Sequence, residues 1–347
     1  MKIDLIVAEN TYSTTAHFAA SLQEALCGLG ASAELLELNE KKGPTTLAKL
    51  KQDPPDFTCS FSNIHHNQKP FGEITGRPHI SLLLDPVIYS LYHLTSPLSW
   101  VGCVDKNDLE FLQGFGFTQV FFCPHAADPR FLTSPETSRS LEALFFGTCI
   151  DFEAIEAKWR VRYGKMVHDL LLAAAERVLS SETTSLVQIL ASLGVTEENL
   201  PLYHHEVDLY TRGRDRVELL RSANPSTLHI YGEGPWRKYL PKAHLHAPLP
   251  FAETLPLMQQ AKIVYNSSPR FKKGTHERVL YGLLCGAAVV TGDTTLTTPG
   301  TSQYTYGTWE PAPLPTSSQI EEGQKEILAH HTWNTRAQTL LSQDVLP

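Results

Sequence analysis

Long apolar runs are missing from this sequence, and their absence excludes one class of protein. No stretch of the 347 residues approaches the roughly 18–20 consecutive apolar residues that a membrane-spanning helix needs. The opening segment from Met1 to Ala8 is too short for a signal peptide and includes Asp4. It is instead typical of a first buried strand, so we expect no transmembrane segment.

Closely spaced cysteines are also lacking. The six cysteines are Cys27, Cys59, Cys103, Cys123, Cys149 and Cys285. Most lie inside apolar runs, a pattern that fits reduced, buried thiols better than a disulfide framework. No His or Cys spacing matches that of a zinc site. We therefore expect a cytoplasmic protein without a bound metal ion.

Positive charge is in deficit. Lys and Arg number 29 against 37 Asp and Glu, which gives a net charge of −8 with neutral histidines. Because affinity for nucleic acid comes largely from Lys and Arg contacts to phosphates, we expect no nucleic-acid partner. The same deficit disfavours a polybasic membrane-surface protein. A local cluster of cations remains compatible with one small phosphorylated ligand.

Two common catalytic signatures are absent too. The sequence has no Gly-x-x-x-x-Gly-Lys-Ser/Thr loop, which disfavours a P-loop ATPase. It also lacks the Gly-x-Ser-x-Gly turn that carries the nucleophile of α/β-hydrolases. The chemistry therefore has to be sought in other patterns.

The sequence does contain a repeated alternation of short apolar runs and helical patterns. Such runs, nearly continuous in hydrophobicity, are typical of parallel strands that are covered on both faces. The length suggests two domains, since one domain usually takes about 100–200 residues. We predict an α/β protein with two Rossmann-like, doubly wound domains, residues 1–130 and 140–315, which face each other across a cleft.

Three segments depart from the strand–helix alternation. Residues 152–222 form a long helical region, which predicts a helical insert in the second domain. Residues 124–140 are polar and predict a linker between the domains. After a Pro-rich connector at 311–315, residues 316–347 predict one last helix that crosses back to the first domain.

The strongest candidate site is the stretch from Asn266 to Leu280, which follows a predicted strand and opens a predicted helix. The first turn of a helix offers free N–H groups and the positive end of the helix dipole. Lys272, Lys273 and Arg278 add positive charge there, and Thr275 adds a hydroxyl. Cations at a helix N-terminus oppose the dipole, so structure alone does not favour them. The pattern favours a diphosphate site over the alternative, a solvated basic loop.

One acid, Glu277, lies within this basic cluster. A carboxylate can accept hydrogen bonds from the two hydroxyls of a ribose, which is one role for Glu277. The other role is structural, because an acid in the first helical turn interacts favourably with the dipole. The sequence leaves both roles open.

Glycines follow two other predicted strands. One strand ends in Tyr231-Gly232-Glu233-Gly234, and another ends in Gly147-Thr148. Glycine at the carboxyl end of a strand lets the backbone approach a ligand closely. Each pair alone is equally typical of a plain turn, so the two strand ends are candidates for the same phosphorylated ligand.

Candidate proton acceptors lie in the first half of the chain. Asp85 ends a predicted apolar strand, where a carboxylate facing a cleft could act as a general base toward an acceptor hydroxyl. The alternative is an Asp that caps a turn, which the following Pro86 favours. His125 and His65 also fall at predicted strand ends or loops and are further candidates.

Combined, these motifs resemble a known family. The segments Tyr231–Trp236 and His276–Thr291 resemble the CgeB-like proteins and their relatives among the group 1 GT-B glycosyltransferases. In the first half, Leu84-Asp85-Pro86 and Phe122–Phe131 resemble family segments more loosely. Together the resemblance covers about residues 80–295. It implies a GT-B fold, a nucleotide-sugar donor on the second domain, and catalysis without an obligatory metal or another cofactor.

The chain also departs from this family. Many group 1 transferases carry two glutamates eight positions apart, where this chain has Lys273 and Tyr281. A more distant similarity runs to phage DNA glucosyltransferases, whose catalytic base is an Asp that ends an N-terminal strand. That similarity implies the same role for Asp85, although the acidic net charge here argues against DNA as the acceptor.

These observations predict a glycosyltransferase that moves a sugar from a nucleotide-diphosphate sugar to an acceptor. The base and ribose of the donor are expected near Tyr231–Gly234 and Glu277. Its diphosphate is expected at Gly147, Thr148, Lys272, Lys273, Thr275 and Arg278. Two alternatives share the same fold: a donor-binding protein without catalysis, and a sugar-nucleotide epimerase.

Overall fold

A computed structural model describes residues 1–8, 12–66, 69–91, 94–180, 184–224, 226–292, 299–305 and 307–342. The chain divides into two compact units. The first comprises Met1–Asp128, Pro250–Ala252 and Ala329–Pro347, and the second comprises Pro129–Leu249 and Glu253–Leu328.

The first unit is built on a six-stranded parallel sheet. Its strands are β1 (Lys2–Ala8), β2 (Ser32–Leu38), β3 (Phe57–Ser60), β6 (His79–Leu83), β7 (Ser99–Cys103) and β8 (Val120–Phe122). Between β3 and β6 in the sequence, the chain forms a separate antiparallel pair, β4 (His65–His66) and β5 (Lys69–Pro70). The order across the sheet is β2-β1-β3-β6-β7-β8. The order therefore reverses at β1 and β3, and ligands of such sheets bind beyond the carboxyl ends of the strands at this point.

Helices cover this sheet because its central strands are apolar on both faces. The helices are α1 (Thr14–Gly28), α2 (Gly43–Gln52), α3 (Phe71–Thr75) and α4 (Lys106–Gly114). All five residues of β6 are buried. Helix α1 buries Phe18, Leu22 and Leu26 along one side. This is the arrangement that nearly continuous apolar strands predict.

The second unit has its own six-stranded parallel sheet. The strands are β9 (Leu141–Phe146), β10 (Leu228–Tyr231), β11 (His244–His246), β12 (Ala261–Asn266), β13 (Ala288–Thr291) and β14 (Thr301–Gln303). Their order is β11-β10-β9-β12-β13-β14, so it reverses at β9 and β12. The two parallel sheets confirm the predicted α/β class.

Eight helices are described in the rest of the chain. They are α5 (Phe152–Ser180), α6 (Leu186–Ser192), α7 (Leu200–Arg221), α8 (Trp236–Tyr239), α9 (Phe251–Gln260), α10 (Glu277–Leu284), α11 (Ser317–His330) and α12 (Trp333–Leu341). Helices α5 to α7 form the predicted insert between β9 and β10. Gly164, with φ of 71°, divides α5 into two helical limbs. The insert shares a core with the sheet, in which Trp159 and Leu171 are buried together with Phe145 of β9.

The C-terminal segment contains two helices where the sequence predicts one. The first ends at His330, and Thr332 caps the second, because its Oγ1 accepts a hydrogen bond from the Thr335 amide at 3.3 Å. Helix α12 packs on α1 of the first unit, where Trp333 contacts Phe18. Arg336 anchors it by donating to the carbonyls of Pro124 and His125 at 2.6 and 2.9 Å.

Most of the predicted linker at 124–140 is tied to the second unit. Arg139 donates from Nη1 to the carbonyls of Gln259 and Ala261 at 2.8 and 3.0 Å. Its Nη2 donates to the carbonyl of Cys285 at 2.9 Å. The polar composition that predicts a linker therefore reflects hydrogen bonds to the ends of neighbouring elements.

Candidate functional site

The candidate donor site lies at the crevice of the second sheet, beyond the carboxyl ends of β9 and β12. Gly147 and Thr148 follow β9, and Ser267 follows β12. Helix α10 begins shortly after, at Glu277. The sequence-predicted strand ends and the basic stretch are thus brought to the edge of one sheet, where doubly wound proteins bind ligands.

The glycines after β10 serve a close backbone approach. A Cβ on Gly232 would lie 2.0 Å from the Gly147 carbonyl oxygen, and one on Gly234 would lie 2.2 Å from that of Cys149. Two hydrogen bonds join the segments, from Gly147 N to Tyr231 O at 3.0 Å and from Cys149 N to Glu233 O at 2.7 Å. The glycines therefore fix the loop after β9 against the loop after β10.

Two arginines lie at the crevice. Arg216 of α7 is buried, and its Nη1 donates to the Thr148 carbonyl at 2.7 Å. Arg278 of α10 donates from Nη1 to Asn266 Oδ1 at 3.1 Å, and its guanidinium lies 5.7 Å from the centre of the Phe145 ring. Among the described residues, Arg216 Nε has no hydrogen-bond partner. A buried guanidinium with an unused N–H is a donor available to an anion.

Further positive charge surrounds Arg216. Burial lowers its pKa well below the usual arginine value, and the nearby Arg212, Arg278 and Arg270 lower it further. Asp208 acts in the opposite direction on the pKa of Arg216, and its Oδ2 lies 3.3 Å from Arg212 and 3.9 Å from Arg270. Burial opposes its ionisation, but these arginines and His204 together hold the pKa of Asp208 below its usual value. Together, four side chains form what we name the arginine cluster: Arg212, Arg216, Arg270 and Arg278.

A buried acid supports the loop after β12. Asp215 accepts hydrogen bonds from Ser267 Oγ at 2.7 Å, Tyr304 Oη at 2.8 Å and Trp309 Nε1 at 2.9 Å. Its carboxyl is fully buried, and burial raises its pKa above the usual value although these donors oppose the shift. Asp215 thereby holds Ser267, and with it the neighbouring Asn266 that contacts Arg278.

The predicted basic stretch is divided by the structure. The ammonium group of Lys272 is buried and donates to the Val178 carbonyl of α5 at 2.8 Å. Lys273 is partly exposed. Thr275 is buried, and its Oγ1 has no hydrogen-bond partner among the described residues. Lys272 is thus directed toward the insert, whereas Thr275 retains an unused hydroxyl at the start of α10.

Glu277 has a local partner at the start of α10. One of its carboxylate oxygens lies 3.0 Å from His276 Nδ1. The Arg278 amide nitrogen lies 3.3 Å from the same ring nitrogen, which either accepts from this amide and caps the helix or, when it carries a proton, donates to Glu277. This contact fits the structural role that the sequence allows for Glu277, and the ribose role stays a prediction.

Tyr231 belongs to an aromatic array at the edge of the second sheet. Its ring stacks on His246 with centres 4.3 Å apart, and His229 stacks on both His246 and His244. His229 Nδ1 and His246 Nε2 are 3.0 Å apart. Burial lowers the pKa of both His229 and His246, and the neighbouring His244 lowers them further. The array is aromatic, and the lowered pKa values favour the neutral form of His229 and His246.

The first unit has an open cavity of about 460 Å³ at its own reversal point. It is lined by Ala8 at the end of β1, by residues 61–63 after β3, and by Asp85 after β6. His65 lines the same cavity. Two of the three sequence-predicted proton acceptors are therefore brought together at the carboxyl edge of the first sheet.

The third candidate, His125, lies elsewhere in the first unit. Its side chain is buried, and its ring centre is 6.1 Å from that of Phe18 on α1. The Arg336 guanidinium binds its carbonyl oxygen. The structure thus surrounds His125 with packing contacts of α1 and α12, and its catalytic role stays a prediction.

The sequence analysis did not identify the charged side chains that α7 brings to the candidate donor site. Asp208, Arg212 and Arg216 are spaced four residues apart, so they share one face of that helix. This spacing is visible in the sequence. The position of that face beside the crevice follows from the packing of the insert and has no local sequence signal.

Comparison with known proteins identifies the fold. No protein-family profile matches the chain, and no curated protein sequence matches it. The chain is similar to the structure of AviGT4, a glycosyltransferase involved in avilamycin A biosynthesis, with 14% identity and a TM-score of 0.54, over 99% of this chain and 96% of that one. It is also similar to WaaG, a glycosyltransferase involved in lipopolysaccharide biosynthesis, with 10% identity and a TM-score of 0.44, over 99% of this chain and 96% of that one.

The similarity to AviGT4 together with the two parallel sheets confirms the predicted GT-B architecture of two Rossmann-like domains. Within the described ranges, no helix is long and apolar enough to cross a membrane. The described residues also contain no group of three or more His, Cys, Asp or Glu side chains that could hold a metal ion.

Proposed function

We propose that this protein is a glycosyltransferase that uses a nucleotide-diphosphate sugar as its donor. The observation that carries the proposal is the arginine cluster at the crevice between β9 and β12. Positive charge in a partly buried crevice is unfavourable unless an anion completes it. A diphosphate has the charge and the oxygens that guanidinium groups bind best.

In this proposal the second unit stabilises the leaving group. Negative charge grows on the diphosphate as the glycosidic bond breaks, and fixed cations near that charge lower the barrier. Arg216 and Arg278 supply the cations. We propose that these groups take the place of a divalent metal ion, with Gly147, Thr148, Lys273 and Thr275 completing the site.

The first unit is proposed to bind the acceptor. Asp85, at the cavity after β6, takes the proton of the attacking hydroxyl, and His65 is the second candidate. None of the described residues that line this cavity is Lys or Arg. A phosphorylated acceptor would therefore find no cation among these lining residues, and we propose an uncharged, hydroxyl-bearing acceptor.

The fold supports a transferase without naming its substrates. AviGT4 is a glycosyltransferase with the same fold. Within that fold we propose a CgeB-like protein, because the segments Tyr231–Trp236 and His276–Thr291 carry that resemblance.

We propose a cytoplasmic location because all six cysteines are free and five of them are buried.

Incubation with a panel of labelled nucleotide-diphosphate sugars tests the proposal. Release of the nucleoside diphosphate, with sugar transferred to an acceptor or to water, supports a transferase. Formation of an epimeric donor supports a sugar-nucleotide epimerase instead. Saturable binding without any turnover supports a donor-binding protein that lacks catalysis.

The substitution Asp85→Asn separates catalysis from binding. Loss of a general base lowers kcat by about 10²–10⁴-fold. The affinity for the donor should stay within about twofold of the parent, since Asp85 lies in the other unit. Glu40→Gln, an exposed change outside the cavity lining, is the control and should keep full activity. Full activity in Asp85→Asn would exclude this residue as the base.

A further inference from the structure

The insert presents an apolar and basic tip at the kink of α5. Val161 and Met166 stand on either side of Gly164, with 89% and 82% of their surface exposed. They are the two most exposed large hydrophobic residues among those that the structure describes. Single exposed hydrophobics are ordinary, but two that flank one kink form a local feature that folding alone does not require.

Cations surround this pair. Lys158, Arg160, Arg162 and Lys165 are all exposed, and residues 157–168 contain no acid. The chain as a whole carries a net charge of −8, so the sign of the charge is reversed at the tip. We name residues 158–166 the kink tip.

The acids near the kink tip are less exposed than the cations with which they pair. Arg162 pairs with Glu206 at 3.5 Å, and their side chains are 63% and 16% exposed. In the pairs of Arg160 with Glu156 and of Lys165 with Asp169, the cation is again the more exposed partner. The cations and the two apolar side chains therefore contribute more of the exposed surface of the kink tip than the carboxylates do.

We propose that the kink tip docks the protein on an anionic lipid surface. Two apolar side chains are too few for a stable protein interface, which takes about 800 Å² from each partner. They suffice at a membrane interface, where a few inserted side chains act together with Lys and Arg near anionic headgroups. The negative charge of the rest of the chain opposes other orientations, so the tip approaches first. The binding is peripheral, because no helix of the described residues could cross the bilayer.

Cosedimentation with lipid vesicles tests this proposal. The full chain should bind phosphatidylcholine vesicles that contain phosphatidylglycerol and should bind pure phosphatidylcholine vesicles at least tenfold more weakly. Raising the salt concentration should weaken binding, because exposed charges are screened. Equal binding to both vesicle types, or binding to neither, would overturn the proposal.

Variants assign the binding to the kink tip. The double substitution Val161→Ser with Met166→Ser should lower vesicle binding about tenfold or more, since it removes the inserted apolar surface. Replacing Lys158, Arg160 and Arg162 by Gln should remove the preference for anionic vesicles. The matched control is Phe115→Ser with Leu132→Ser, which alters two exposed hydrophobics elsewhere and should bind like the parent.

Two further outcomes would count against the lipid surface. If the control double variant lost as much vesicle binding as the tip variant, exposed hydrophobic residues in general, and not the kink tip, would account for the binding. If sedimentation velocity showed that the parent self-associates and that the tip variant does not, the kink tip would be an interface between copies of the chain. All exchanged residues are exposed, so the variants should fold, and circular dichroism checks this.

Discussion

Gly232 leaves no space for a methyl group, and this makes the donor crevice sensitive to one residue. A Cβ there would lie 2.0 Å from the Gly147 carbonyl oxygen, which is backbone and unable to swing away. We predict that Gly232→Ala destabilises the protein by about 1–3 kcal/mol or more and weakens nucleotide binding. Urea denaturation and nucleotide titration measure the two effects.

Gly28 provides the control for this substitution. It is the last residue of α1, and a Cβ there would meet no atom within 4 Å. Gly28→Ala should leave nucleotide binding unchanged and raise stability by up to about 1 kcal/mol, because alanine loses less backbone entropy than glycine in a helix. A Gly232→Ala protein as stable as the parent would contradict the close approach.

At the scale of elements, buried neutral histidines make the strands and helices sensitive to acid. Burial lowers the pKa of His79 in β6 to about 3, and the pKa of His204 in α7 to about 4. The neutral ring of His79 is paired on both nitrogens, because Nδ1 lies 2.8 Å from Thr58 Oγ1 and Nε2 lies 3.0 Å from Ser60 Oγ. An unfolded histidine titrates near pH 6.5, so the unfolded state binds more protons below that pH.

The sign of the pH dependence follows. The stability that these histidines contribute is present above about pH 6.5 and is lost as the pH falls toward their folded pKa values. We predict that the free energy of unfolding drops by up to about 1.4 kcal/mol per pH unit for His79 in this window. Urea denaturation at pH 7 and pH 5 measures the slope for the parent, for His79→Gln and for the exposed control His205→Gln. If His79→Gln keeps the slope of the parent, the account of β6 is wrong.

Elements also show what the sequence could predict. The buried strands around β1, β6, β9 and β12 were predictable because they are apolar on both faces. Strand β14, the run Thr301-Ser302-Gln303, was not predicted, since an edge strand of polar residues carries no hydrophobic pattern. The single last helix was predicted because the helical pattern continues across the break at Thr332, where one side-chain cap divides it.

At the scale of the whole molecule, the candidate donor site is built from some residues that are neighbours in the sequence and from others that are far apart in it. Thr275 and Arg278 were predicted as donor-binding residues, because cations and hydroxyls at a helix start can be read from neighbouring residues, and that role stays a prediction. Arg216 and Asp215 reach the crevice from about fifty residues away in the chain, through packing of the insert that no local pattern reveals. Lys272 was predicted to bind the donor from its sequence neighbours; its ammonium donates to the Val178 carbonyl, a contact with the insert that the sequence does not indicate, and its role toward the donor stays a prediction.

The central claim is that the crevice between β9 and β12 binds the donor diphosphate. Calorimetric titration of nucleoside diphosphates into the parent and into Arg278→Ala tests it most directly. We predict an affinity loss of about tenfold or more for Arg278→Ala, since charge-assisted hydrogen bonds to phosphate contribute roughly 1.5–3 kcal/mol each. Arg278→Lys should restore part of it, because lysine lacks the planar pair of donors.

The control is Arg221→Ala, which removes an exposed guanidinium at the end of the helix that carries Arg216. It should bind the preferred nucleoside diphosphate as the parent does. The account predicts weaker binding in Arg278→Ala and unchanged binding in Arg221→Ala. Equal affinities of the parent and Arg278→Ala for that ligand would contradict the placement of the donor diphosphate.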